Sequence, residues 1–162
     1  MGKHGRSVKE RLLARRRIDP DGCWRWTAAP FGNGYGQMRV DGKMVRVHTL
    51  AYEVFIGPIP AGMDVGHKCH DEAAAAGLCS GPDCPHRACF NPEHLKAEPR
   101  RDNILASPLT LASINKNKTH CLRGHEFTPE NTSFRNEGRS RSCLACNRMT
   151  KEERAEWNRI HQ

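Results

Sequence analysis

The sequence predicts a small α+β protein in which bound metal supplies order that a modest apolar core cannot. Three observations predict it. Short alternating segments are separated by turn residues, short helical stretches carry capping signals, and the 162 residues include eight Cys and nine His. Hydrophobic residues make up 37% of the chain and the mean hydropathy is −0.74. Apolar burial is therefore thin, and proteins of this kind compensate with disulfides or metals. The choice falls on metal. No apolar signal follows Met1, Met1-Gly2 lacks the Ser or Thr of a myristoylation motif because Arg6 stands there, and no stretch reaches membrane-spanning length. A soluble, cytoplasmic, non-secreted chain keeps its thiols reduced, and Cys clustered with His then favours zinc.

The first element is a helix over residues 7–17. Ser7 and Glu10 form a capping box, Val8, Leu12 and Leu13 an apolar stripe, and Lys9, Arg11, Arg15, Arg16 and Arg17 a basic face. Asp19-Pro20-Asp21-Gly22 forces a turn. Strands follow over 23–27 and 35–40, then a hairpin through Asp41-Gly42 into 43–47. Alternation assigns Met38, Val40, Val45 and Val47 to apolar faces and leaves Arg39 and Arg46 outside. A short buried helix over 48–56, with His48 as a structural residue, ends at Gly57-Pro58. Residues 58–98 show little regular structure beyond a short helix over 71–76, capped by Asp71. A helix over 100–106 comes next, with proline at its start. Residues 107–118 read as a linker, 119–147 as a compact Cys/His unit, and 150–160 as a helix capped by Thr150 and Glu153. The organisation is thus a basic N-terminal segment (1–22), a central domain (23–106), a linker (107–118) and a C-terminal metal-binding unit (119–162).

The net charge is +8: 16 basic against 12 acidic residues over 1–106 and 10 against 6 over 107–162. A basic surface spread over both halves suits a polyanion, although solubility charge explains it equally well.

The clearest metal pattern is Cys121-x3-His125-x17-Cys143-x2-Cys146, two ligand pairs around a hairpin-length loop, as in structural zinc sites. A second set is Cys69, Cys89 and His94, with Cys23 as the available fourth thiolate. Each such site contributes on the order of 10 kcal/mol to folding. His70, Cys79, Cys84 and His86 remain, and could form a third zinc site; otherwise Cys79 and Cys84 exchange roles with the central ligands or stay free.

The series His67-x-Cys69, Cys89-x-Asn91-Pro92-x-x-His94-Leu95 and Asp102-Asn103 resembles the His-Cys box branch of the HNH, or His-Me finger, endonucleases. The upstream Cys-Trp-x-Trp, Gly-Tyr-Gly and Gly-Pro-Ile-Pro elements and the downstream Lys-Thr-His-Cys, Gly-His and Cys-x-x-Cys elements resemble freestanding phage HNH proteins. The similarity spans residues 23–146. It implies a ββα-metal fold, a hairpin followed by a helix gripping one divalent ion. His67 then matches the general base, Asn91 a loop-tethering residue, and Asn103 the ligand of a catalytic Mg²⁺ or Mn²⁺. Many HNH proteins carry Asp immediately before the base, where this chain has Gly66. Glu98 and Asp102 are candidate helpers, and Arg39 or Arg46 a candidate phosphate ligand.

The activity implied is hydrolysis of double-stranded DNA, as endonuclease or nickase, to 5′-phosphate and 3′-hydroxyl ends, in a phage-associated or homing setting, by a monomer or a homodimer. The chemistry suits the residues: a neutral imidazole takes a proton from water near pH 7, and Mg²⁺ needs few protein ligands. Arg15, Arg16, Arg17, Arg39 and Arg46 are the candidate DNA contacts. Two other readings stay open at this point, a non-catalytic zinc-finger DNA-binding regulator and a thiol redox protein. His67 could also be a zinc ligand beside Cys69, and Asn103 a helix-capping amide.

Overall fold

The computed structural model describes residues 5–29, 32–79, 84–138 and 140–161. The Met1-Gly2 reading, part of the loop before Tyr35, and the residues between Cys79 and Cys84 lie outside them. The fold is α+β, built from short antiparallel strand pairs and short helices, and the chain divides after Ile114 into two compact units.

In the first unit, α1 (Val8–Leu13) begins at the Ser7/Glu10 capping box, with the Ser7 amide donating to Glu10 at 2.7 Å and the Glu10 amide donating to Ser7 Oγ at 3.2 Å. The helix is shorter than the expected 7–17. Its apolar stripe runs out at Leu13, and Arg16 and Arg17 belong instead to β1 (Arg16–Ile18), paired antiparallel with β2 (Trp24–Trp26). Backbone pairing to the Trp-x-Trp strand outcompetes another helical turn. β3 (Gln37–Val40) and β4 (Lys43–Arg46) form the expected hairpin, whose turn residues Asp41 and Gly42 take φ of 46° and 79°, as a two-residue primed turn requires. Gly36, just before β3, lies against Trp26, and a Cβ there would stand 2.8 Å from Trp26 Cγ.

Residues 58–98 are more regular than expected. Helix α2 (Val47–Phe55) is followed by β5 (Met63–His67), which runs directly into α3 (Lys68–Ala75), so Asp71 lies inside the helix rather than capping it. β5 pairs with β6 (Leu95–Pro99) across a long excursion, His67 opposite Leu95 and Gly66 opposite Lys96. β6 passes at Pro99 into α4 (Arg100–Ala106). Two strands and a helix thus meet around Gly66 and His67.

The core holding these elements gathers Leu12, Trp26, Met38, Val47, Ala51, Val65, Phe90 and Leu95. Phe90 is fully buried, with its ring edge-on to Trp24 and Trp26 at 5.9 and 6.0 Å. Such burial is worth about 2–3 kcal/mol. The Phe90 amide donates to the Trp24 carbonyl at 2.9 Å, and Cys89 bridges to Arg25. This backbone junction brings the loop after Cys84 onto β2.

The segment expected as a linker contains α5 (Leu111–Asn117), begun by Thr110, whose hydroxyl accepts from the Ser113 amide at 3.1 Å. The division between the units falls within it. In the second unit, β7 (Thr132–Arg135) pairs with β8 (Ser140–Cys143), and Cys143 leads into α6 (Leu144–Arg148). Asn131 braces the junction, donating to the Glu126 carbonyl and accepting from the Ala145 amide at 2.6 and 2.8 Å. The last helix, α7 (Lys151–Ile160), starts at the Thr150/Glu153 capping box.

Candidate active site and metal centres

Four elements assemble the central cluster. Cys23 precedes β2, Cys69 sits in the first turn of α3, Cys89 precedes a 3₁₀ turn over Pro92–His94, and His94 ends that turn. Their ligand atoms all lie within 4.8 Å of one another, with His94 Nδ1 at 3.5 Å from Cys23 Sγ and 3.7 Å from Cys89 Sγ. Tetrahedral zinc with ordinary Zn–S and Zn–N bonds separates N from S by roughly 3.5 Å and S from S by roughly 3.8 Å. The donor set and spacing fit zinc. The thiols differ in acidity: a hydrogen bond from Cys69 lowers Cys89, and burial raises Cys23.

The second unit repeats this chemistry with Cys121, His125, Cys143 and Cys146. His125 Nδ1 is 3.5, 3.6 and 3.3 Å from Cys121, Cys143 and Cys146 Sγ, and Cys121 is 3.6 Å from Cys146. These distances too fit the edges of a zinc tetrahedron. Among the described residues, these two clusters are the four-ligand groups.

The third set departs from expectation. Cys79 and Cys84 are joined as a disulfide, with His70 Nδ1 at 3.4 and 3.2 Å from their sulfurs. With the sulfurs reduced, His70, Cys79 and Cys84 form a group of three that could hold a metal ion, one ligand short of the expected four. His86 turns partly away: Nδ1 lies 3.3 Å from Cys84 Sγ, while Nε2 faces Asp21 Oδ2 at 3.3 Å.

His67 ends β5 with its side chain buried, 6% exposed. Its Nε2 lies 2.9 Å from the carbonyl of Cys89. A carbonyl only accepts, so Nε2 carries the proton and Nδ1 keeps its lone pair. Burial pushes the imidazole down to about 4, partly opposed by that hydrogen bond. His67 is outside the central cluster, so the alternative of a zinc ligand is not needed to complete it. Cys89 thus gives its sulfur to the cluster and its carbonyl to His67.

Asn91 bridges loops. Its Nδ2 donates to the Gly22 carbonyl at 2.8 Å and its Oδ1 accepts from the Glu93 amide at 3.1 Å. Asn103, on α4, reaches back to β5, where a Cβ on Gly66 would stand 2.6 Å from Asn103 Oδ1 and 2.8 Å from Glu98 Oε1. The missing side chain at residue 66 thus leaves room for two oxygens, the hard donors a Mg²⁺-type ion takes. Asp102 is exposed on α4.

The candidate DNA-contacting arginines are dispersed. Arg39 and Arg46 are exposed, and the register places both on the outer face of the β3–β4 hairpin. Arg46 lies over the Tyr35 ring at 5.3 Å. Arg15 and Arg16 stack on Trp26 and Trp24 at 5.6 and 4.3 Å, and Arg17 pairs with Asp19 at 2.8 Å. Sequence reasoning missed the ring of neighbours around His67. The His48 ring centroid is 4.5 Å and that of Tyr35 5.8 Å from His67, and Arg87 lies 5.5 Å over Tyr35. His48 could have been flagged only by knowing that α2 packs beside the end of β5.

Residues 45–73 match the HNH endonuclease family. The HNH segment runs from β4 through α2 and β5 into α3, so it contains His48, Gly66, His67 and Cys69, while Asn91 and Asn103 lie beyond it. The chain is 26% identical over 125 residues to protein 2.8 of Escherichia phage T7, covering 76% of this chain and 70% of that protein. It is 33% identical over 81 residues to protein 7.7 of the same phage, covering 50% of this chain and 51%, about half, of that relative. No solved structure matches. An HNH segment suggests a nuclease acting on nucleic acid. Among the described residues, no helix is long and apolar enough to cross a membrane.

Proposed function

We propose that this chain is a metal-dependent DNA endonuclease or nickase, phage-associated or homing, that leaves 5′-phosphate and 3′-hydroxyl ends on double-stranded DNA. The observation that carries the reading is the fixed orientation of His67 at the end of β5, one residue on from Gly66, whose missing side chain leaves a cradle for Asn103. The Cys89 carbonyl holds Nε2–H, and Nδ1 is the atom that takes a proton from the attacking water. Burial keeps the imidazole neutral at pH 7, the form able to accept that proton. Asn103 offers an amide oxygen to a Mg²⁺ or Mn²⁺ ion, which when bound supplies charge stabilisation at the phosphorus and the leaving 3′ oxygen. Asn91 keeps the loop carrying Cys89 in place. Arg46 or Arg39, on the exposed hairpin face, binds the phosphate. Two zinc ions, one in each four-ligand cluster, hold the scaffold.

The test is nicking of supercoiled plasmid with Mg²⁺ or Mn²⁺. Wild type is expected to give open-circular or linear product, and His67→Ala to lose roughly 100-fold or more of the rate with unchanged zinc content. No product from wild type, or equal cutting by His67→Ala, overturns the proposal. Retardation of duplex DNA without cutting would identify a binding regulator instead.

A further inference from the structure

The hairpin of β5 and β6 has two faces. Residues directly opposite in an antiparallel pair share a face, as do alternate residues along a strand. Val65, His67, Leu95 and Ala97 therefore occupy one face, and Asp64, Gly66, Lys96 and Glu98 the other. Asp71 from α3 and Asn103 from α4 reach this second face. In a chain of net charge +8, this face brings Glu98 and Asp71 to Lys96, with Asn103 beside Glu98 and Asp64 paired with Arg100 at 4.0 Å.

One lysine serves two carboxylates as their ion-pair partner. Lys96 Nζ lies 3.1 Å from Glu98 Oε1 and 3.2 Å from Asp71 Oδ2, yet both oxygens are buried with no partner in hydrogen-bond geometry. Lys96 acts there as a point charge. Glu98 Oε1 crowds the same place beside Gly66 as Asn103 Oδ1, and the Asn103 side chain makes no hydrogen bond among the described residues. A buried carboxylate oxygen and an unused amide oxygen, side by side over a glycine, form a hard-donor pair suited to a small divalent cation.

We propose that Glu98 is the second protein ligand, with Asn103, for the divalent cation, and that Lys96 is a built-in countercharge which the cation displaces. The inference rests on the nuclease reading for the identity of the ion, Mg²⁺ or Mn²⁺. It adds a negatively charged ligand to what would otherwise be one neutral amide. It also gives the lysine a sign: as a competitor of the cation, its removal favours binding.

Zinc-loaded full-length protein titrated with Mn²⁺ and followed by electron paramagnetic resonance tests this, alongside plasmid nicking over a Mg²⁺ series. Glu98→Gln, nearly isosteric, is expected to raise the half-saturating Mn²⁺ concentration roughly tenfold or more. Lys96→Gln is expected to lower it. A purely structural Lys96–Glu98 ion pair predicts that both substitutions act alike on stability and neither shifts Mn²⁺ binding. Unchanged Mn²⁺ binding in Glu98→Gln, or shifts of the same direction in both variants, overturns the proposal. If wild type and Glu98→Gln then nick equally well, Glu98 is excluded and the nuclease reading stands. If wild type neither binds Mn²⁺ nor nicks, both fall. Zinc content and circular dichroism of each variant separate ligand loss from misfolding.

Discussion

Asn91→Ala tests whether the fold and the central cluster are coupled through one amide. Asn91 is 6% exposed and makes two hydrogen bonds, donating to the Gly22 carbonyl and accepting from the Glu93 amide. Removing a buried partner leaves an unsatisfied group at a cost of about 1–3 kcal/mol. The two bonds together make a loss of about 3 kcal/mol reasonable, since the Glu93 side is solvent-accessible. The effect should concentrate on zinc. Gly22 adjoins Cys23, and Asn91 stands between Cys89 and His94, so the amide ties three ligands together. If about 2 kcal/mol of the loss falls on metal binding, affinity drops roughly 30-fold. Competition with a chromophoric chelator should show one zinc leaving more readily while the other is unaffected. Urea unfolding should show a lower midpoint with unchanged slope. Wild-type zinc retention and an unchanged midpoint would refute the coupling. A fall in nicking without any change in zinc or stability would mean that Asn91 acts on the chemistry directly.

Gly36→Ala is expected to destabilise the first unit by about 1–3 kcal/mol, because the added methyl meets Trp26 rather than open space; urea unfolding reads it. Cys143→Ser should reduce zinc from two to one per chain by elemental analysis, with loss of ordered structure in the second unit alone, since Cys143 is both cluster ligand and the cap of α6. Arg39→Ala and Arg46→Ala should each lower the slope of log affinity against log salt for duplex DNA by about one, with zinc content unchanged. An unaltered slope in both would remove the hairpin from the DNA contact.

Local signals were legible in the sequence and long-range pairings were not. The capping boxes at Ser7/Glu10 and Thr150/Glu153 and the turn at Asp41-Gly42 each lie within four residues, and all three form. The pairing of β5 with β6 spans the excursion that holds α3 and the third Cys/His set, and neither strand alternates cleanly, so the segment read as irregular. β1 was hidden because Arg16 and Arg17 look like a solvated helix face, whereas their strand is set by Trp24 and Trp26 across the turn. The two four-ligand groupings were readable from spacing together with the need for a fourth thiolate. The Cys79–Cys84 bond was not, because composition argued only that thiols stay reduced. Glu98 could be noticed as a nearby acid, but its place beside Asn103 depends on the β5–β6 register.

Cys89 does double duty. Its sulfur belongs to the candidate metal cluster, and its backbone carbonyl fixes the orientation of the proposed base, His67. If zinc occupies that cluster, it would hold in place the same residue whose carbonyl orients His67. On the nuclease reading, filling the central cluster and orienting the base would then be coupled through this one residue.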